Sequence, residues 1–300
     1  MKKLKTLLLL LLIAGAIDIG RYTLYPDISE LKEERPVPTA FMEYRQDQWA
    51  EENREKEIRH KWGSMSQISP NVVKAVLIAE DDGFWNHDGF DVKGMEDAIE
   101  RSLKKGVVAG GSTISQQLSK NLYLSPSKNP VRKIKEAIIT WRIENTLSKR
   151  RILEIYLNVA EWGDGIFGIE AAARHYYGKS AKNLSGREAA RLAAVLPNLI
   201  RYNPTGSQKY VKNRARIIYK IMQRRGVVIP AYKEVMAPPK PSESQASETN
   251  ESALPDSVEN LFEMPQEGNS QPLADPSPAA AQEPEPLPEE PALENPPAAE

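Results

Sequence analysis

The sequence lacks cysteine altogether, which excludes a disulfide framework and any cysteine-bound metal. It also lacks a long apolar run: the longest, residues 7–17, is shorter than the roughly 17–25 residues that a membrane-spanning helix needs. Spacings typical of a dedicated metal site are absent, and strand signals are sparse. No Lys or Arg occurs after Lys240.

The positive charge of the chain is concentrated in its first 240 residues. Residues 241–300 carry 14 Asp and Glu, so residues 1–240 hold all 40 Lys and Arg against 27 acids, an excess of 13 positive charges that the net charge of −1 conceals. A basic body of this kind indicates a polyanionic partner, which would be a nucleic acid, an anionic membrane surface or a phosphate-bearing substrate.

The N-terminus has the layout of an export signal, because Lys2, Lys3 and Lys5 precede the apolar run. Three interpretations stay open: an uncleaved membrane anchor over residues 1–21, a signal that is cleaved near its small residues, and an ordinary core helix. The first two place the rest of the chain outside the cytoplasm, since an excess of Lys before the run keeps the N-terminus inside.

Composition divides the remainder into three parts. Residues 22–63 are polar and charged and are predicted to be a connector, and residues 64–236 hold the apolar positions of a folded body. Residues 237–300 are rich in Pro, Glu, Ser and Ala and have too few large apolar side chains to offset the entropy of ordering. We therefore predict a disordered acidic tail there.

Helix signals punctuate the body and predict a mainly α fold. Ser69 before Pro70 places a capping side chain ahead of a proline at the first helical position. Residues 113–116 and 185–188 have the pattern of a capping box. The predicted helices run from residue 69 to Gly83, from 113 onward, from 129 to about 147, and over 150–160, 168–177, 185–197 and 208–225.

Glu80, Asp81 and Asp82 form an acidic cluster at the C-terminal end of the first of these helices. The helix dipole disfavours negative charge at that end and like charges repel, so at least one carboxyl is expected to hold its proton more tightly than a free one. Such a group suits a general acid or base. An acidic helix end is also an ordinary solvated surface, but the neighbouring Phe84 and Trp85 favour a shaped pocket.

A second segment has groups that suit an anion. Residues 110–113, Gly-Gly-Ser-Thr, lead into a helix start whose free backbone N–H groups can bind phosphate. Gln117 and Lys120 are three residues apart and share one face of that helix. An ordinary glycine turn followed by a cap explains this segment equally well.

In a third segment one carboxylate, Glu136, lies among three cations. Arg132 precedes it by four residues, Lys133 by three and Lys135 by one. The first two spacings bring side chains together on a helix surface. Taken alone, this segment is more simply a surface ion-pair ladder of little energetic weight.

Together these segments resemble the five motifs of the peptidoglycan glycosyltransferase family, whose fold is lysozyme-like. The matches are Glu-Asp-x-x-Phe-x-x-His-x-Gly at residues 80–89, Gly-Gly-Ser-Thr-x-x-Gln-Gln-x-x-Lys-Asn at 110–121, Arg-Lys-x-x-Glu at 132–136, Ile-Leu-Glu-x-Tyr-Leu-Asn at 152–158 and an alanine-rich helix at 189–198. Any one motif is weak, whereas five in order are specific. The layout is similar to that of monofunctional members, because no Lys-Thr-Gly motif of a penicillin-binding domain follows.

The resemblance implies a glycan polymerase with two catalytic acids. Glu80 would deprotonate the sugar 4-hydroxyl of lipid II, and Glu136 with its cations would surround the pyrophosphate that leaves the growing glycan, with inversion to a β-1,4 link. The substrate-binding residues that it implies are Asp81, Phe84, His87, Ser112, Thr113, Gln117, Lys120, Asn121, Lys128, Arg132, Lys133 and Lys135. At Lys128 many members have Arg, so this position has a point charge in place of a two-pronged donor.

The same resemblance sets expectations for architecture, location and partners. We expect a mainly α, lysozyme-like glycosyltransferase domain with a small membrane-proximal lobe, an N-terminal membrane helix and a disordered C-terminal tail. The protein would be single-pass in the cell inner membrane, with its catalytic domain on the periplasmic side. No cofactor is required, and a divalent cation (Mg²⁺ or Mn²⁺) fits at the pyrophosphate. Partners would be lipid II, undecaprenyl-pyrophosphate-linked glycan, the membrane and, through the tail, other cell-wall synthesis proteins, but no nucleic acid.

Two alternatives from other classes stay open. A lysozyme-like lytic enzyme would cut glycan with one essential Glu and would need no pyrophosphate-binding cations, so Gln117, Lys120 and residues 132–136 argue against it. A non-catalytic scaffold that kept the fold would not need both Glu80 and Glu136.

Overall fold

Helices make up most of the residues that the computed structural model describes, which are 2–105, 111–126 and 129–225. These residues belong to a unit that spans Met1–Lys240. The helices are α1 (Lys2–Gly20), α2 (Ala40–Glu51), α3 (Pro70–Glu80), α4 (Val92–Lys105), α5 (Ile114–Tyr123), α6 (Pro130–Thr146), α7 (Lys149–Val159), α8 (Ile169–Tyr177), α9 (Gly186–Val195) and α10 (Lys209–Arg224). The predicted mainly α fold is confirmed.

The helices of the body begin where their capping residues predict. Ser69 accepts a backbone N–H at the head of α3, ahead of a proline at the first helical position. Thr113 accepts the N–H of Gln116, whose side chain in turn accepts the N–H of Thr113, at the head of α5. The same capping box begins α9 at Ser185. Gly178, with a φ of 65°, ends α8, as its position in the sequence predicts.

Three short strands form a small sheet at the junction between α7 and α8. They are β1 (Arg59–His60), β2 (Glu161–Gly163) and β3 (Ile166–Phe167), in the order β1–β3–β2, with β1 parallel and β2 antiparallel to β3. Gly168 follows with a φ of 83°, and a Cβ atom there would lie 2.8 Å from the carbonyl oxygen of Asn158. This close approach explains why a glycine occupies the start of α8.

The segment predicted to be a connector, residues 22–63, packs against the body in this structure. Tyr22, Ile28 and Leu31 are buried in the main core, and α2 packs against α5. Arg151 of α7 donates to the carbonyl oxygen of Leu31 at 2.7 Å. The segment therefore contributes both core side chains and a helix to the folded unit.

The apolar N-terminal run forms α1, and its side chains are exposed. Leu7 and Leu12 expose 55% and 63% of their surface. Over the described ranges, we find no helix whose length and apolar character together would allow it to cross a membrane. The helix predicted within residues 1–21 is present as α1. The prediction that this helix spans a membrane is not supported.

Several predictions fall outside the described residues. They are the tail at 237–300 and the last part of the predicted body, 226–236. Residues 106–110 and 127–128, which include Lys128, lie outside as well. The small membrane-proximal lobe stays a prediction.

Asn158 of α7 holds the chain segment before α3 by two hydrogen bonds, and its substitution tests how much this contact stabilises the fold. Its side chain is fully buried, with Oδ1 accepting the N–H of Gly63 and Nδ2 donating to the Gly63 carbonyl, both at 2.8 Å. We expect Asn158→Ala to lower the free energy of unfolding by about 2–4 kcal/mol, because it leaves two buried backbone groups unpaired. Urea unfolding measures the change.

The matched control for this substitution is Asn145→Ala. Asn145 makes one exposed hydrogen bond, to the carbonyl oxygen of Trp141 on α6. Its removal should change the free energy of unfolding by less than about 0.5 kcal/mol. Equal losses in the two variants would contradict the bridging role of Asn158.

Candidate active site

Glu80 is the last residue of α3, where its carboxylate meets α5 and α10. Its Oε2 atom accepts the Nε2–H of Gln117 at 3.0 Å. Its Oε1 atom is buried and has no hydrogen-bond partner among the described residues, and Nη2 of Arg214 lies 3.7 Å away. One oxygen of the carboxylate is thus held by a hydrogen bond, and the other is left without a hydrogen-bond partner, which is what we call the open oxygen.

Gln117 is itself held by Tyr156 of α7. The Tyr156 hydroxyl donates to Oε1 of Gln117 at 3.1 Å, which leaves the amide nitrogen to face Glu80. Burial raises the pKa of the Tyr156 phenol well above its ordinary value, and the charges of Glu80 and Asp81 raise it further. The phenol therefore stays a neutral donor, and this chain of two hydrogen bonds fixes the orientation of the Glu80 carboxylate.

Burial raises the pKa of Glu80. The hydrogen bond from Gln117 and the charges of Arg214 and Lys120 oppose this rise, and the charge of Asp81 adds to it. A carboxyl that binds its proton more tightly than a free one was the expectation for this acidic cluster, and Glu80 meets it. A carboxylate of raised pKa with one open oxygen is suited to accept a proton.

Asp81 holds the start of α5 in place. It is buried, its Oδ2 atom accepts the N–H of Ile114 at 2.8 Å, and its Oδ1 atom lies 2.9 Å from Nε2 of His87. Nδ1 of His87 accepts the N–H of Gly89 at 3.1 Å, so Nε2 is the nitrogen that donates to Asp81. Protein groups therefore hold both side chains in place, and Asp81 connects the end of α3 to the start of α5.

Thr113 and Phe84 are also buried. The Thr113 hydroxyl donates to the carbonyl oxygen of Gly89 at 2.7 Å, in addition to capping α5. Phe84 packs edge-on against Trp85, with ring centroids 5.0 Å apart, and the ammonium of Lys149 lies 4.6 Å from its ring. Both side chains are held by protein groups in this structure, and their contact with substrate stays a prediction.

On α6, Glu136 is buried and both its oxygens accept from cations. Oε2 accepts from Nη1 of Arg132 at 2.7 Å, and Oε1 accepts from the Lys133 ammonium. Lys133 also reaches the exposed hydroxyl of Ser112, at 3.4 Å, on the loop before α5. The helical spacing of this motif predicts these two ion pairs, and both are present.

One predicted cation, Lys135, does not lie beside Glu136 in this structure. Lys135 precedes Glu136 by one residue, so the helix turns its side chain about 100° away. Its ammonium pairs with Asp18 of α1 and lies 5.1 Å from the ring centroid of Tyr22. Lys135 therefore ties α6 to α1 in this structure, and Lys128 lies outside the described residues.

Lys120 of α5 connects the two acids. Burial lowers the pKa of its ammonium, whereas the charges of Glu136 and, more weakly, Glu80 raise it. The charges of both carboxylates therefore reach the Lys120 ammonium. A cavity of about 280 Å³ opens beside it and is lined in part by Gln117, Lys120 and Asn121.

Two arginines at the site come from segments without a sequence signal. Arg45 of α2 donates two N–H groups to Oε2 of Glu161, at 3.0 and 2.9 Å, and both residues line the cavity beside Lys120. Burial raises the pKa of Glu161, and Arg45 counters that rise. Arg214 of α10 is the other. No motif marks either arginine, and only the fold brings them to their partners.

A metal site is not evident in the part of the chain that the structure describes. No group of three or more His, Asp or Glu side chains that could hold an ion occurs in it. Both oxygens of Glu136 already accept from cations. A divalent cation at this point would therefore depend on phosphate oxygens supplied by a substrate.

A helical domain with a buried carboxylate that has one unpaired oxygen, and with a second acid held by cations, has the groups of a glycosyltransferase. The transglycosylase family model matches residues 46–223. The chain is 53% identical over 183 residues to the biosynthetic peptidoglycan transglycosylase of Aromatoleum aromaticum, covering 61% of this chain and 80% of that protein. It is 45% identical over 210 residues to that of Methylobacillus flagellatus, covering 70% and 92%. The chain belongs to the transglycosylase family, as a peptidoglycan glycosyltransferase of cell-wall synthesis.

Glu80→Gln should stabilise the fold. The buried carboxylate costs stability at pH values above its raised native pKa, where it is ionised in both the folded and unfolded chain. The cost disappears as the pH falls to the ordinary value of 4.5, where both states become protonated. We expect the variant to exceed the wild type by roughly 0.5–2 kcal/mol in urea unfolding above neutral pH, and by nothing near pH 4.

Glu188→Gln provides a control of opposite sign. Burial raises the pKa of Glu188, but hydrogen bonds from Lys179 and Ser185 outweigh this effect and bring it below the ordinary value. Its ionised form therefore adds stability above pH 4.5 that is lost as the pH falls through the native pKa. Glu188→Gln should thus lose stability at neutral pH, and a loss of the same sign in Glu80→Gln would contradict the cost assigned to Glu80.

Proposed function

We propose that the protein polymerises glycan strands by transferring the growing glycan from undecaprenyl pyrophosphate to the sugar 4-hydroxyl of lipid II. The observation that carries this proposal is a pair of unlike acids: Glu80, with an oxygen that has no hydrogen-bond partner among the described residues, and Glu136, whose oxygens both accept from cations. The name of these relatives, biosynthetic peptidoglycan transglycosylase, supports the same substrate class.

In this mechanism Glu80 is the general base. Its Oε1 atom takes the proton of the acceptor 4-hydroxyl while the hydroxyl oxygen bonds to the anomeric carbon of the donor. The bond from that carbon to the pyrophosphate oxygen breaks on the opposite face, so an α-linked donor gives a β-1,4 link. Gln117 holds Oε2, so the open oxygen keeps its direction as the proton moves.

The pyrophosphate leaves with one more negative charge, and the cations near Glu136 offset it. Lys120, Arg132 and Lys133 are the described cations of this group. Glu136 orders Arg132 and Lys133 before a substrate arrives, so little reorganisation is needed when charge develops on the leaving oxygen. The exposed hydroxyl of Ser112 beside Lys133 would donate to a phosphate oxygen.

Some parts of the predicted site stay predictions. Lys128 would add a charge at the pyrophosphate, and Lys135 would have to leave Asp18 to do so. Mg²⁺ or Mn²⁺ would add charge there as well, held by the substrate, and no step of the mechanism is routed through it. The tail as a binding arm for other cell-wall synthesis proteins also stays a prediction.

Glu80→Gln tests the base directly. We expect it to lower polymerisation of labelled lipid II by the purified protein at least about 100-fold, because an amide cannot accept the proton, while the variant still binds lipid II. Polymer is measured by gel separation of the labelled strands. Near-wild-type turnover would rule out this assignment.

Asp82→Asn is the matched control, since Asp82 lies two residues further on, is exposed and pairs with Arg225. It should polymerise lipid II at the wild-type rate.

Incubation of the wild type with finished wall material distinguishes the two alternative classes, a lytic enzyme and a non-catalytic scaffold. Release of fragments without polymerisation of lipid II would favour a lytic enzyme, and binding without turnover of either substrate would favour a scaffold.

We also propose that α1 anchors the catalytic unit to the inner membrane, with the unit on the periplasmic side. The exposed leucines of α1 support contact with lipid, and the ion pair of Asp18 with Lys135 connects this helix to α6. The full chain should float with phosphatidylethanolamine–phosphatidylglycerol vesicles, and a chain lacking residues 1–21 should not. Mass spectrometry of the protein from membranes distinguishes an uncleaved anchor from a cleaved signal, since a protein without residues 1–21 would exclude the anchor.

A further inference from the structure

Arg214 of α10 reaches the end of α3, 135 residues earlier in the chain. Its Nη2 atom donates to the carbonyl oxygen of Ala79 at 3.1 Å and lies 3.7 Å from Oε1 of Glu80. The side chain is about two-thirds buried, with a relative exposure of 32%. One guanidinium nitrogen therefore serves both the backbone at the end of α3 and the proposed base.

The contact with Ala79 satisfies a need of the helix itself. The last four carbonyl groups of an α-helix have no partner within the helix, and the negative end of its dipole lies there. A guanidinium that donates to the Ala79 carbonyl answers both the unpaired acceptor and the dipole. This contact also fixes where the positive charge of Arg214 lies, beside the Glu80 carboxylate.

The distance between Arg214 and Glu80 allows electrostatic attraction but not a hydrogen bond. At 3.7 Å, Nη2 is too far from Oε1 for a hydrogen bond, and Oε1 has no other partner among the described residues. The electrostatic attraction at this distance is still strong in a buried site. Arg214 therefore favours the ionised carboxylate without occupying the oxygen that would receive a proton.

The other polar groups that face Glu80 do not replace this contact. Gln117 of α5 is neutral and holds Oε2, and Tyr156 of α7 acts through Gln117 as a neutral donor. Asp81, next in the chain, repels the Glu80 charge. Lys120 of α5 attracts it, but the charge of Glu136 acts on Lys120 more strongly than that of Glu80 does.

We propose that Arg214 is a positioning residue of the reaction centre, which keeps Glu80 ionised and leaves its Oε1 atom open to the acceptor hydroxyl. This inference rests on the proposed function, because it concerns the base of that reaction. It assigns to α10, which no family motif of the sequence includes, a part in catalysis that is distinct from packing against α3 and α9.

The test is the pH dependence of kcat/KM for polymerisation of lipid II by the full-length protein. Arg214→Gln removes the charge and keeps an N–H donor, Arg214→Met is a second charge-free variant, and Arg214→Lys keeps the charge. The control is Arg216→Gln, on the same helix, where Arg216 is exposed and donates to Asn213.

Loss of the Arg214 charge raises the pKa of Glu80, so the acidic limb of the profile should move to higher pH by roughly one unit in both charge-free variants. On that limb kcat/KM should fall about tenfold, and the difference should shrink where Glu80 is ionised in every variant. Arg214→Lys should keep the limb at lower pH than the charge-free variants, and Arg216→Gln should match the wild type.

The outcomes separate the inference from the proposed function. A wild type that makes no polymer from lipid II overturns the proposed function, whatever the variants do. A wild type that polymerises, with charge-free variants that lose activity equally at every pH or keep the wild-type limb, overturns the role of Arg214 alone. Thermal unfolding of each variant identifies any that fails to fold, and the remaining charge-free variant then decides.

Discussion

The bond between Asp81 and the first N–H of α5 is the contact on which the rest of the site depends. Asp81 follows the end of α3, and its carboxylate accepts the N–H of Ile114 at 2.8 Å in a buried setting. This bond fixes the start of α5 relative to the end of α3. From that start, helical spacing alone places Gln117 against Glu80 and puts Lys120 one turn further on, where both acids act on it. The positions of Glu80 and Lys120 therefore both depend on a single buried hydrogen bond between the Asp81 carboxylate and a backbone N–H.

Small hydroxyl side chains form a seam between α5 and α6, the helix that carries Glu136. The hydroxyls of Ser119 on α5 and Thr140 on α6 lie 2.8 Å apart, and Thr140 also donates to the backbone carbonyl of Glu136 at 2.7 Å. Ser115 continues the seam one turn earlier by donating to Glu144. Small side chains let the two helices approach closely, and buried hydroxyls are stable only when paired, so the register between α5 and α6 is well specified. Glu136 therefore accepts hydrogen bonds both at its carboxylate and at its backbone carbonyl.

Local signals predicted the parts of the structure that depend on neighbours in the chain. The capping box at Thr113 and the spacing of Arg132 before Glu136 each produce the contact that they predict, because both lie within one helical turn. Arg45 and Arg214 could not be found in this way, since their partners lie more than a hundred residues away and no motif marks them. Local pattern also does not say which side chains of a motif face inward. Phe84 carries the family pattern and yet is fully buried, which the motif alone does not predict.

The two acids of the site are not interchangeable, and their partners indicate what kind of leaving group the site suits. A lytic enzyme needs an acid that donates a proton to the departing sugar oxygen, because a sugar alkoxide is a poor leaving group. Both oxygens of Glu136 accept hydrogen bonds from cations, so neither is free to face a departing sugar oxygen. A pyrophosphate needs no such proton, since it is stable as an anion and requires only positive charge nearby. In the proposed reaction, Glu80 takes one proton from the attacking hydroxyl, and the cations around Glu136 receive one anion. These are the two requirements of glycan synthesis from a lipid pyrophosphate.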